Sequence, residues 1–332
     1  MVLVVAVGRE GFDLGGKRVW VTGHNGMVGS ALMRRLAREN CTLLTADRTT
    51  VDLTSQAATE AWMAEERPEV VFAAAGRVGG IAANATHPAE FLYENLMIAA
   101  NVIHAAHRIG VEKLLYLGSS CIYPRDTAQP IRESRLLTGP LEGTNEAYAI
   151  AKIAGVKLVE SYARQYGCRF VSAMPTNLYG PNDNFDLETS HVLPALIRRI
   201  HEAKVQGQAT VTIWGSGRPR REFLHVDDLA DACVAVMKRY DNPTPINIGS
   251  GEDVAIADLA GLVARVVGYE GQLAFDPSRP DGTPRKLLDT TKLARLGWRP
   301  AIGLEDGIRD TLRYWLAVEA EGAGRPVCQA AV

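Results

Sequence analysis

The stretch Lys17–Thr22 (KRVWVT), followed at once by Gly23–Gly29 (GHNGMVG), constrains the fold of this 332-residue chain more than any other. The first half is a short β-rich run. The second has the spacing G-x-x-G-x-x-G and opens a segment, Met27–Glu39, whose Val28, Ala31, Leu32 and Leu36 recur at helical spacing. A strand that turns into a helix through glycines presents backbone N–H groups and a positive helix end to one point in space. That arrangement suits a pyrophosphate, and Gly29 lets the helix lie close to the strand. The turn points to a dinucleotide site; an ordinary tight βα turn is the competing explanation.

The alternation continues along the chain. Cys41–Ala46, Val70–Ala75, Lys113–Gly118 and Arg169–Met174 read as strands, separated by helical patterns at Ser55–Glu66, His87–Ile109 and Glu146–Tyr166. Strands separated by helices imply right-handed crossovers, hence an α/β fold with a doubly wound parallel sheet. After Pro175 the composition shifts to a polar loop, Tyr179–Thr189, too long for a routine connection. Helical patterns at Val192–Lys204, Asp227–Arg239, Ile256–Val267 and Leu304–Ala317 follow, with short strands at Thr210–Trp214 and Pro245–Ile248. Residues 17–178 plus 222–250 are expected to form a dinucleotide-binding domain. Residues 179–221 plus 251–320 would form a smaller C-terminal substrate domain, with 1–16 and 321–332 as loose termini.

Composition narrows the functional classes. Hydrophobic residues at 47% and charged residues at 22% supply a core and exclude a disordered chain. Lys and Arg (36) nearly balance Asp and Glu (38), which argues against a nucleic-acid surface but not against a local basic pocket. No apolar run approaches the ~18 residues of a membrane span. Met1–Val7 is apolar but short and without a basic flank, so it reads as an extension and not a signal peptide. Five scattered cysteines with no C-x-x-C and no zinc spacing point to no metal and a reducing, cytoplasmic setting.

Tyr148 and Lys152 stand four apart, on one face of the Glu146–Tyr166 helix. A nearby ammonium and an oxidised nicotinamide favour the phenolate, so this pair can exchange a proton near neutrality. Ser119 follows the fourth strand, at the sheet's carboxyl edge where such folds bind ligands, and can hydrogen-bond a carbonyl oxygen. At the end of strand two, Asp47 suits an adenosine 2′-hydroxyl, while its neighbour Arg48 suits a 2′-phosphate. Asp52 is a further candidate there, or the lead-in to a helix at Ser55.

These motifs resemble the extended short-chain dehydrogenase/reductase family. Within it, the chain is similar to the bifunctional enzymes that epimerise and reduce GDP-4-keto-6-deoxy-D-mannose. The resemblance rests on Gly23–Gly29, Ala73–Gly80 (AAAGRVGG), Leu117–Pro124 (LGSSCIYP), Asn145–Gly155 (NEAYAIAKIAG) and Pro175–Gly180 (PTNLYG). Asp183–Phe185 with His191, Trp214–Gly217, Arg221–Asp228 (REFLHVDD) and Pro280–Leu287 (PDGTPRKL) extend it to residues 17–315. It implies C3/C5 epimerisation and NADPH-dependent C4 reduction, giving GDP-L-fucose. Ser119, Tyr148 and Lys152 would be the reductase triad, with Tyr148 the proton donor, and Cys121 and His191 the epimerisation pair. Inversion beside a ketone needs two groups facing across the sugar, and a thiolate and an imidazole suit that task. Cofactor contacts are implied at Gly23, Asn25, Gly26, Met27, Val28, Gly29, Arg48, Leu117, Ser119, Lys152, Asn177 and His191. Arg199, Trp214, Arg221, Asp281 and Lys286 would hold the GDP-sugar. Family members often carry Arg where this chain has Asn25, which leaves NADP to rest on the resemblance and Arg48, with NAD(H) not excluded. A homodimer is implied through residues 88–109 and 146–166, where Leu96, Ile98, Val102, Ile103, Ile150, Ile153 and Val156 are apolar. Two other readings compete: a redox-neutral NAD-dependent GDP-mannose 3,5-epimerase, which Asp47 favours, and a dinucleotide-sensing regulator without turnover, which has no need of the five catalytic residues together.

Overall fold

The computed structural model describes residues 11–278 and 281–321. Strand β1 (Arg18–Thr22) runs through the glycine turn into α1 (Met27–Leu36), and β2 (Thr42–Leu44) returns beside it. Next come α2 (Gln56–Glu66), β3 (Val70–Ala73), α3 (Ile81–Thr86), α4 (Pro88–Ile109), β4 (Lys113–Leu117), α5 (Glu146–Tyr166) and β5 (Arg169–Pro175). The chain then leaves for the smaller region through β6 (Asn177–Tyr179), α6 (Val192–Val205), β7 (Thr210–Trp214) and β8 (Arg220–His225). It returns through α7 (Val226–Arg239) and β9 (Ile246–Ile248). Last come β10 (Asp253–Ala255), α8 (Ile256–Val267), β11 (Gln272–Asp276), β12 (Arg285–Lys286), α9 (Thr291–Arg295) and α10 (Leu304–Glu321).

Among the described residues the main sheet has six parallel strands in the order β2-β1-β3-β4-β5-β9. Strand order reverses between β1 and β3, so their carboxyl ends splay apart and leave the crevice where such sheets bind ligands. Strands β3 and β4 are buried along their whole length, as expected of a sheet covered on both faces. One core packs α1 and α7 against the sheet through Leu32, Leu36, Leu229 and Val236; another packs α4 and α5 on the opposite face through Val102, Ile103, Ile153 and Val156. A third core, around Ile197, Ile200, Leu259 and Val263, holds the smaller region together. Among the described residues no helix is long and apolar enough to cross a membrane.

The structure moves two boundaries. Chain return begins at Val226 and not at residue 222, because β8 pairs with β6, β10 and β12 in a separate sheet. The loose N-terminal stretch does not extend to residue 16. Leu14 is fully buried, and the Phe12 ring covers the Lys113 ammonium and the Arg169 guanidinium at 5.3 and 5.0 Å. Residues 1–10 and 322–332, the rest of the expected loose termini, lie outside the described residues. Of the apolar residues expected at a dimer face, Val102, Ile103, Ile153 and Val156 belong to the chain's own core; α4 and α5 leave Tyr93, Ile150 and Tyr166 exposed.

Candidate active site

The glycine turn has the close contacts that a pyrophosphate cradle requires. Gly23 sits at φ +67, in the left-handed region, and a Cβ on Gly29 would lie 2.0 Å from the Gly23 carbonyl oxygen. The backbone of α1 can therefore approach the turn only if residue 29 is glycine. Thr22 Oγ1 accepts from the backbone N–H groups of Ala74 and Ala75 at 3.0 and 2.9 Å, locking the ends of β1 and β3 beside the turn.

At the adenosine end the two carboxylates are each braced by their own loop through one oxygen, Oδ1. Asp47 accepts from Thr49 Oγ1 (2.7 Å), Thr50 N–H (2.9 Å) and Thr50 Oγ1 (3.0 Å), which hold its carboxyl down at about 2. Asp52 is tied in the same way to Thr54. Arg48, between them, lines the cleft and is exposed. Asp47 and Arg48 thus both line this end of the cleft, a carboxylate beside a guanidinium.

The catalytic floor starts where β4 ends. Gly118 passes so close to Met174 that a Cβ would lie 2.5 Å from its sulfur. Ser119 is extended, and its hydroxyl accepts the Cys121 N–H at 3.2 Å, starting a 3-10 turn over Ser120–Ile122. Buried Ile122 and Tyr123 anchor that turn and leave the half-buried Cys121 at the cleft. Helix α5 begins beside it, with Asn145 as N-cap, Tyr148 in the first turn and Lys152 one turn on. Gly155 lets the Tyr116 ring pack against α5, drawing the helix onto β4.

The Lys152 ammonium donates to the Leu117 carbonyl at 3.1 Å and lies 5.7 Å from the Tyr148 ring centroid. Burial pulls it down to about 8. Burial pushes the Tyr148 phenol up, with Cys121 adding to the rise and a hydrogen bond with Ser119 opposing it. In the cofactor-free chain these shifts keep Tyr148 a phenol, the form a proton donor needs.

Across the cleft, His191 is the N-cap residue of α6. Its loop is braced by Asp186, which accepts from Glu188 N–H, Thr189 N–H and Thr189 Oγ1 at 3.1, 2.9 and 2.9 Å. The imidazole lines the cleft with part of its surface exposed, and desolvation by the cleft walls lowers its pKa, with Lys286 adding to the effect. Lys286 reaches the same place from β12, beside Arg221 of β8. The strap carrying it is fastened by Glu222, whose carboxylate accepts from Leu288 N–H (2.9 Å) and Gly251 N–H (2.7 Å). At the outer end, Arg199 lies 5.4 Å over the Trp214 ring, which is 58% exposed.

Every residue singled out in the sequence lines this one cleft of about 1070 Å³: the glycine turn, Arg48, Leu117, Ser119, Cys121, Tyr148, Lys152, Asn177, His191, Arg199, Trp214, Arg221, Asp281 and Lys286. The volume exceeds the ~300–1,000 Å³ typical of a single drug-sized ligand, so it suits two bound molecules. Two of these residues have local duties. Asn177 Nδ2 is spent on the Glu222 carbonyl (2.8 Å), and Asp281 grips Ser216 through its N–H (2.6 Å) and hydroxyl (2.7 Å). Two asparagines outside the expected site residues carry geometry there. Asn145 donates to the Cys121 sulfur at 3.3 Å, and Asn95 turns a buried, unpaired Oδ1 toward Gly76 beside Lys152.

The description "NAD dependent epimerase/dehydratase family" matches residues 19–249. Over 308 residues, 93% of this chain and 98% of the relative, the sequence is 58% identical to the GDP-L-fucose synthase of Sinorhizobium fredii. The chain belongs to the GDP-L-fucose synthase branch of this family. GDP-L-fucose synthase 1 of Arabidopsis thaliana is 56% identical over 300 residues, 90% of this chain and 93% of the relative. Among solved structures, a GDP-L-fucose synthetase from Naegleria fowleri bound to NADP superposes with a TM-score of 0.87 at 27% identity, covering 95% of this chain and 99% of that one. The branch therefore shares this fold.

Proposed function

We propose that this protein is a bifunctional epimerase/reductase that converts GDP-4-keto-6-deoxy-D-mannose to GDP-L-fucose with NADPH. One observation carries the reading: a reductase trio (Ser119, Tyr148, Lys152) and a proton-transfer pair (Cys121, His191) line the same cleft. The glycine turn, closed to any side chain at Gly29, and the uncommitted Arg48 fit a dinucleotide with a 2′-phosphate. When bound, NADPH supplies a hydride to C4 of the sugar.

Chain residues do the rest. Ser119 orients the C4 carbonyl, and Tyr148 gives its phenolic proton to the oxygen as the ketone is reduced. Lys152 holds that phenol in place and supports the charge it develops. C3 and C5 both flank the ketone, so their protons are acidified. Cys121 removes each proton, and His191 returns one from the opposite face. Arg221, Lys286 and Arg199 suit the diphosphate, and Trp214 offers an apolar wall. The relatives and the NADP-bound neighbour support NADPH over the redox-neutral NAD reading. The same reading carries a cytoplasmic homodimer through α4 and α5; a monomer by light scattering at micromolar concentration would remove that part.

The test is incubation with the keto-sugar in D₂O, with and without NADPH or NADH. Without reductant, wild type should place deuterium at C3 and C5. With NADPH it should consume one equivalent and yield GDP-L-fucose. Cys121→Ser should lose the deuterium uptake and still reduce a ketone; full uptake in that variant would withdraw the role given to Cys121.

A further inference from the structure

The Cys121 sulfur has two donors, and neither is a residue of the reductase trio. Asn145 Nδ2 lies 3.3 Å from it and Lys286 Nζ 3.5 Å. They arrive from unrelated places: Asn145 caps α5, whereas Lys286 sits on a strap 165 residues beyond Cys121. Neutral thiols are weak acceptors, so two convergent donors, one cationic, match a sulfur that carries charge. The titratable neighbours are Tyr148, which interacts with this sulfur, and His191, which interacts with Lys286. Ser119 accepts the Cys121 N–H and pairs with Tyr148, not with the sulfur.

We propose that Asn145 and Lys286 are positioning residues that hold Cys121 as the thiolate, so that the epimerisation base is charged before the sugar arrives. This rests on the function proposed above and adds a role for Lys286 separate from contact with the diphosphate. In the step it serves, the C–H proton passes to sulfur, which becomes a thiol. The electron pair of the broken bond moves into the ketone as an enolate, and Lys286 keeps its own protons throughout.

The test needs no sugar. Iodoacetamide alkylation of Cys121 in the full-length protein is followed by peptide mass across pH 5–10, with NADPH binding confirming that each variant is folded. In Lys286→Met the rate at pH 7 should fall about tenfold and the pH midpoint rise by about one unit, the loss expected from one charge-assisted donor. Asn145→Ala should fall about threefold, and it serves as the independent variant if Lys286→Met does not fold. Lys286→Arg should stay within about threefold of wild type, since the charge is retained. An unchanged midpoint in Lys286→Met and Asn145→Ala, or Lys286→Arg behaving like Lys286→Met, overturns the proposal. If the alkylation pattern holds but wild type takes up no deuterium from D₂O into the keto-sugar, the proposed function fails and the assignment of the two donors stands.

Discussion

Replacing Lys152 with methionine should stabilise the cofactor-free protein while abolishing reduction. The ammonium is only 5% exposed and has a single hydrogen bond, to the Leu117 carbonyl. Burial lowers it from 10.5 to about 8. At ~1.4 kcal/mol per unit, holding it charged at pH 7 costs the folded state about 3 kcal/mol. Losing the hydrogen bond to Leu117 gives back about 1 kcal/mol. Methionine fills nearly the same volume, so the net gain is about 2 kcal/mol, or roughly 4 °C in Tm. The sign follows from linkage. The folded chain binds this proton less tightly than the unfolded chain, so the wild-type penalty is complete below pH 8 and fades as pH rises towards 10.5. Near pH 10 the remaining penalty is about 1 kcal/mol, equal to the lost hydrogen bond, and the two proteins should melt together. Thermal unfolding without cofactor at pH 7 and pH 10 reads both points. A variant that is less stable at pH 7, or that keeps the same advantage at pH 10, would refute the reasoning.

Three further outcomes are expected. Gly29→Ala puts a methyl 2.0 Å from the Gly23 carbonyl oxygen, so α1 must withdraw by more than an ångström; NADPH affinity, read by fluorescence titration, should fall at least ~100-fold. Arg48→Ala should weaken NADPH binding about tenfold and leave NADH binding within about twofold, which calorimetry can compare directly. Asp241→Asn removes the counter-charge of Lys113, a lysine with no exposed surface that pairs with it at 2.8 Å, and should cost about 3 kcal/mol in urea unfolding. That carboxyl is held at about 2, so its contribution should be whole above pH 4 and be lost as pH falls towards 2.

What the sequence revealed depended on how local the signal was. The glycine turn, the limits of α5 at Glu146 and Tyr166, and those of α8 at Ile256 and Val267 are all written in residues adjacent along the chain. Strands β6, β10 and β12 were not legible: they span two or three residues each and exist only because β8 pairs with all of them. Leu14 and Phe12 gave no period, yet they are buried because the segment lies against Lys238, whose carbonyl accepts the Phe12 N–H at 2.7 Å. In the site, Cys121, His191 and Lys286 could be named from their motifs. Their convergence could not, since nothing in the sequence places a β12 lysine beside a sulfur on the loop after β4. Asn145 was one polar residue among several before a helix, and only its 3.3 Å approach to that sulfur gives it a role.

Ser119 and Cys121 are two residues apart on a single 3-10 turn, with one hydrogen bond between them. On the proposed reading, no second chamber separates inversion from reduction, so nothing but relative rate sets which comes first. Each bound sugar faces a branch: reduced early, it leaves with its original configuration at C3 and C5; reduced late, it leaves inverted. The identity of the product is then a kinetic ratio, and slowing Cys121 converts the protein, without altering its fold or its cofactor, into a maker of a different deoxysugar.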